Sequence, residues 1–95
     1  MTPSVELGPA DVVVAQYDDI LFRDGRALAL SGSHVMLLSD VSSAVLLNAE
    51  GGISLGALAA LLTDEFGTPP GAVDPLAATR DLVMELEERG LIARR

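Results

Sequence analysis

The stretch ILFRDGRALALSGSHVMLL, residues 20–38, decides the fold. Two turn signals, Asp24-Gly25 and Ser31-Gly32-Ser33, cut it into three apolar pieces. Asp-Gly favours a two-residue hairpin because the tight turn needs positive φ, which Gly accepts freely and Asp tolerates. The spacing predicts strands over Ile20–Arg23, Arg26–Leu30 and His34–Leu38, forming a three-stranded antiparallel sheet. Val12-Val13-Val14 has the same strand preference, and the pattern leaves open whether it extends the first strand or precedes it.

After Leu38 the periodicity changes. Ser39 and Asp40 are both good N-caps, and Val41, Ala44, Val45 and Asn48 recur at helical spacing up to Glu50-Gly51-Gly52. Ser54 opens a second helix with Leu55, Leu58, Ala59, Leu62 and Phe66 on one expected buried stripe, ended by Gly67 and Pro69-Pro70. Asp74-Pro75 signals a third start, with the aspartate oxygen expected to take a free amide proton. That helix is expected to reach about Arg89 on a stripe of Thr79, Leu82, Val83 and Leu86, with Glu85 and Arg89 as an i, i+4 pair. Gly90 then turns Leu91-Ile92 back onto the core. The expected order is three strands followed by three helices, an α+β fold.

Outward from this frame, 95 residues suffice for one domain. Residues 1–11, with two prolines and a glycine, read as a loose lead-in, and 12–95 as the folded unit. Hydrophobic residues are 49% of the chain and aromatics 3%, so Leu, Val, Ile and Ala must build the core. All six basic residues are arginines, a usage that fits a GC-rich bacterial genome. The start Met1-Thr2-Pro3-Ser4 has no basic or long apolar run, and no stretch approaches the ~18 apolar residues of a membrane span. A cytoplasmic location with no membrane partner is the expectation.

Fourteen acidic residues against six basic give a net charge of −8, which disfavours nucleic acid as a partner. No cysteine is present, so disulfides, thiolate nucleophiles, Cys-ligated zinc and iron–sulfur clusters are excluded. The single histidine, His34, has no nucleophile or carboxylate motif around it. Asp18-Asp19 and the helical set Asp81, Glu85, Glu87 and Glu88 lack ligand spacing and read as solvated. Gly51-Gly52 lacks the Lys-Ser or Lys-Thr of a phosphate loop. The expectation is a non-enzymatic chain without metal or cofactor.

What remains is a binding surface. If the strands pair in chain order, Val35-Met36-Leu37-Leu38 lies at a sheet edge, where an extended peptide can add as a further strand.

The run Leu38-Ser39-Asp40-Val41-Ser42-Ser43-Ala44-Val45-Leu46-Leu47, then Gly51-Gly52-Ile53-Ser54-Leu55-Gly56-Ala57-Leu58, resembles the first two helices of the PqqD-like family. Phe66-Gly67 and Leu82-Val83-Met84-Glu85-Leu86-Glu87-Glu88-Arg89-Gly90-Leu91-Ile92 resemble its final helix and Gly-Leu-Ile close. The likeness covers residues 20–92 and rests on hydrophobic pattern. It implies a winged helix-turn-helix and a peptide chaperone that binds the leader of a ribosomally synthesised precursor peptide. Such a domain presents its peptide to a radical SAM enzyme, a leader protease or another maturation enzyme. Carried onto this chain, the resemblance implies contacts from His34, Val35, Met36, Leu37 and Leu38 on the third strand and from Arg80, Val83, Met84 and Glu87 on the last helix.

The chain departs from the family at Ser39 and Ala78, where many members carry an Asn and an acidic residue, so the peptide class stays open among PQQ, lasso and other modified peptides. Monomer and homodimer both remain open. The competing classes are a structural adaptor for a folded partner and a winged-helix DNA-binding regulator.

Overall fold

The computed structural model describes residues 7–68, 71 and 73–95, and among these backbone hydrogen bonding defines nine elements. They are β1 (Val12–Ala15), β2 (Asp19–Arg23), β3 (Arg26–Ser31), β4 (His34–Leu37), α1 (Asp40–Asn48), β5 (Ile53–Ser54), α2 (Leu55–Phe66), α3 (Pro75–Glu88) and β6 (Ile92–Arg94).

The hairpin expected from Asp24-Gly25 forms with both residues at positive φ, 52° and 79°. It sets the register Arg23↔Arg26 through Asp19↔Leu30, and β3 then pairs with β4 from Ser31↔His34 to Leu28↔Leu37. The meander β2-β3-β4 is therefore one antiparallel sheet with β4 at its edge.

A second three-stranded antiparallel sheet, ordered β5-β1-β6, was not expected. Val12-Val13-Val14 belongs here: Val13 pairs with Ile53 on one side and Arg94 on the other. Its partners are two and three residues long, too short for alternation to register, and lie far away in sequence. Three strands then three helices is thus only part of the order, since β5 and β6 interleave with and follow the helices.

Residues 7–11 also correct an expectation. Leu7 is 1% exposed, its carbonyl accepts from Arg80 Nε at 2.7 Å, and Pro9 O and Asp11 O accept from Gly56 and Leu55 N–H. An apolar side chain with three backbone ties is anchored, so the folded unit begins by Leu7; residues 1–6 lie outside those described.

The helix starts follow the caps. Ser39 and Ser54 hydroxyls each accept from the amide three residues on, Ser42 and Ala57, at 3.2 Å. Asp74 occupies the third N-cap position without a side-chain cap bond, so Pro75 at the first turn carries that start instead. Phe66 leaves the expected α2 stripe at 43% exposure, while Leu55, Leu58, Ala59 and Leu62 stay buried. In α1 the residues from Ser42 to Leu46 are all buried, so that helix is enclosed rather than one-sided. On α3, Thr79, Val83 and Leu86 are buried and Leu82 is half-buried; Glu85 and Arg89 pair at 3.0 Å as expected.

Gly90, with φ at 77°, reverses the chain so that Leu91 N–H reaches Leu86 O and Leu91 and Ile92 enter the core. The core gathers Leu7, Val13, Ala27, Ala29, Leu38, Val45, Leu46, Leu58, Val83 and Leu91 between the sheets and helices.

Ser43 joins the meander to α1. Its hydroxyl, in a side chain 1% exposed, accepts from Ala27 N–H at 2.7 Å and donates to Ser39 O at 2.7 Å. Replacing Ser43 by Ala strands a buried amide, so denaturant unfolding is expected to show a loss of about 1–3 kcal/mol. A loss within error would show that the amide finds another partner.

Tyr17, the sole tyrosine in a chain without tryptophan, donates to Glu50 Oε1 at 2.6 Å. That bond to Glu50, with desolvation and the charges of Glu50 and Asp19, pushes the phenol up to about 12 from the ordinary 10.0. A raised folded value means that the contact contributes fully below the unfolded value of 10.0 and is lost as pH rises through about 12. Ultraviolet titration of phenolate absorbance is expected to show this midpoint near 12, and Glu50→Gln is expected to lower it.

Candidate functional site

In an antiparallel ladder, main-chain groups alternate between facing the neighbour and facing away. Leu38 N–H donates to Ala27 O at 2.8 Å, and the two-residue turn pairs Ser31 with His34. Counting by twos, His34, Met36 and Leu38 turn their main-chain groups towards β3. Val35 and Leu37 therefore turn theirs to the open edge, and their side chains are 61% and 62% exposed.

The ladder stops at Leu38 because Ala27 N–H is taken by Ser43 and Leu38 O accepts from Arg26 Nε at 3.2 Å. Leu38 is itself only 3% exposed, so its side chain belongs to the core rather than to a ligand surface. His34 is exposed, and Met36 is half-buried against the core.

The four helix residues expected to face this edge are not gathered there. Val83 is 0% exposed and holds α3 to the core. Arg80 donates to Leu7 O, and Glu87 holds Arg94 Nε at 2.8 Å, raising the Arg94 pKa; both point to the flank beside the N-terminal segment and β6. Met84, 40% exposed, shares that flank by helical spacing. The resemblance places these residues by sequence position, whereas burial of Thr79, Val83 and Leu86 fixes the rotation of α3.

The other flank of α3 meets different neighbours. Gly90 comes against the end of β3, where a β-carbon on it would lie 3.7 Å from Ser31 Oγ. At the opposite end Val41, three residues after Leu38, shares a cavity with Ala78 and Leu82. α3 thus has its C-terminal end near the β3–β4 turn and its first turns at the cavity with Val41, and by helical spacing Ala78, Leu82, Glu85 and Arg89 share one flank. The cavity holds about 300 Å³ and its lining also includes Leu62, Thr63, Phe66 and Pro75.

Neither Phe66 nor Ala78 was legible as a site residue, because each reads as the end or flank of an amphipathic helix. Phe66, 43% exposed, lines the cavity at the end of α2.

Three of the acidic groups noted in the sequence, Asp18, Glu85 and Glu87, have structural partners. Asp18 Oδ2 accepts from Gly32 N–H at 2.6 Å and closes the β3–β4 turn, while Glu85 and Glu87 pair with arginines. Among the described residues, no three His, Cys, Asp or Glu side chains are grouped to hold a metal ion, and no helix is long and apolar enough to cross a membrane.

No protein-family model, curated protein or solved structure matches this chain.

The orientation of β4 makes a direct test of the edge. Leu37→Pro removes an N–H that already faces away from β3, so the domain is expected to stay folded. Met36→Pro removes one that the ladder uses, at a cost of about 3 kcal/mol or more. Circular dichroism and thermal melts compare the two; equal losses would mean that Leu37 N–H is not on the open side.

Proposed function

We propose that this chain is a non-catalytic peptide-recognition domain of the PqqD-like kind. It takes the leader of a ribosomally made precursor peptide as an added strand beside β4 and presents it to a radical SAM enzyme, a leader protease or another maturation enzyme. On this reading the β2-β3-β4 meander and α1 to α3 correspond to the sheet and helices of a winged helix-turn-helix. The observation that carries it is the open edge of β4, from whose end the chain runs on through Leu38 to Val41 in the wall of an apolar cavity.

Magnitudes say why both parts are needed. Val35 and Leu37 offer four outward main-chain groups, and a net ~0.5–1.5 kcal/mol per hydrogen bond gives too little to offset the cost of association. A leucine-sized side chain entering the cavity adds about 1.5–3 kcal/mol. Pairing thus sets register and direction, and the cavity selects an apolar anchor in the peptide. Glu85 and Arg89 border the same flank and present one charge of each sign, already paired at 3.0 Å.

Charge supports a peptide over a nucleic acid. The net charge is −8, and Arg26, Arg89 and Arg94 are each within 4 Å of a carboxylate, which leaves little basic surface for phosphates.

The test titrates synthetic leader segments of short reading frames beside the gene while recording backbone amide shifts. For a peptide that binds, Leu37→Pro and the cavity-filling Ala78→Trp are each expected to weaken affinity by about tenfold or more, or ~1.4 kcal/mol. Glu65→Lys, on the exposed side of α2, is expected to change it little. Equal affinities across folded variants would place the peptide elsewhere.

A further inference from the structure

The meander has a second exposed apolar feature, its outer face. Side chains alternate along a strand, so Leu21, Leu28 and Leu37, partners in one cross-strand row, share the face opposite the buried Ala27 and Ala29. They are 54%, 40% and 62% exposed, and nothing among the described residues covers them.

Two charges flank this row on β2, Asp19 two residues before Leu21 and Arg23 two residues after it, on the same face. Four strand residues separate them by about 13 Å, too far to pair within one chain. Among the described residues Arg23 has no ion pair or hydrogen bond, and Asp19 Oδ1 accepts from its neighbour Ile20 N–H at 2.8 Å. Arg26, opposite Arg23, is occupied by Leu38 O and by Asp40 at 3.8 Å.

The face is self-complementary. A two-fold axis lying across the strands, along the Leu21–Leu28–Leu37 row, stacks that row on its copy. The same operation sets Arg23 of one protomer over Asp19 of its partner, twice. We propose that this face is the interface of a homodimer, two meanders packed face to face with their strands antiparallel across the interface, as aligned sheet packing allows. A second copy fits better than an unrelated protein because a single axis buries the row and pairs both charges. The outward main-chain groups of Val35 and Leu37 lie in the plane of the sheet and stay open in the dimer, so this inference does not depend on the peptide reading.

The test uses the chain alone, without peptide. Sedimentation equilibrium from about 1 μM to roughly 1 mM is expected to show the 9.9 kDa monomer passing into a dimer. Arg23→Asp and Asp19→Arg are each expected to weaken dimerisation about tenfold or more, since each creates two like-charge contacts. The double variant R23D/D19R is expected to return it to within about threefold of the parent. A copy adding along the β2 edge would also set Arg23 opposite Asp19, and Leu28→Lys separates the cases. Leu28 lies on the central strand, so its change abolishes a face dimer and spares an edge dimer. A monomer at every concentration, a double variant that fails to recover, or a dimer indifferent to folded Leu28→Lys would each overturn the proposal. Should Leu28→Lys not fold, the charge exchange with intermolecular amide contacts mapped by NMR decides between face and edge.

Discussion

The hydroxyl of Ser43 sits where sheet becomes helix, and much of the arrangement depends on it. A buried amide without a partner is costly, and at the corner after β4 the ladder has run out of strand to supply one. Ser43 takes the Ala27 amide and passes its own proton to Ser39 O. Ser39 in turn caps α1. One side chain thus ends the sheet and locks the first helical turn onto it. It also releases Leu38 O to Arg26 and sends the chain into Val41, at the wall of the cavity.

The two sheets divide the work. The small β5-β1-β6 sheet joins segments near the start, middle and end of the chain, and its contacts are with the chain itself: Arg95 N–H reaches Val12 O and Gln16 N–H reaches Leu91 O. The meander presents its edge and outer face to solvent. Protective features are uneven there. β2 carries Asp19 and Arg23 at its ends, whereas β4 reads His-Val-Met-Leu with no Lys or Pro to blunt it. On the proposed reading, an extended peptide occupies this unprotected apolar edge and places an apolar anchor in the cavity at Val41. Face and edge are separate surfaces of one sheet, so a partner on one leaves the other accessible.

Several charged groups serve the fold. Asp18 closes a turn, Glu50 holds Tyr17, and Glu85 and Glu87 engage Arg89 and Arg94. Exposed ion pairs of this kind each contribute about 0.2–1 kcal/mol, enough to orient side chains and too little to explain the fold.

By itself the sequence determined the meander, its two turns, all three helices and most of their buried stripes. Each rests on local chemistry: positive φ at Asp24-Gly25, hydroxyl caps at Ser39 and Ser54, and apolar residues recurring every three or four positions. It also indicated β4 as an edge, because strands joined by tight turns pair in chain order. Tertiary structure alone decided the rest. Val12–Ala15 required partners two and three residues long, from the middle and end of the chain, with too little alternation to detect. Leu7 became core because Arg80 and the α2 start receive its segment. The rotation of α3 was decided by which residues the core could bury, and that put Ala78 and Leu82 in the cavity with Val41 while carrying Arg80 towards Leu7 and Glu87 towards Arg94. Periodicity specifies a buried stripe; only packing chooses which neighbour each side of that stripe meets.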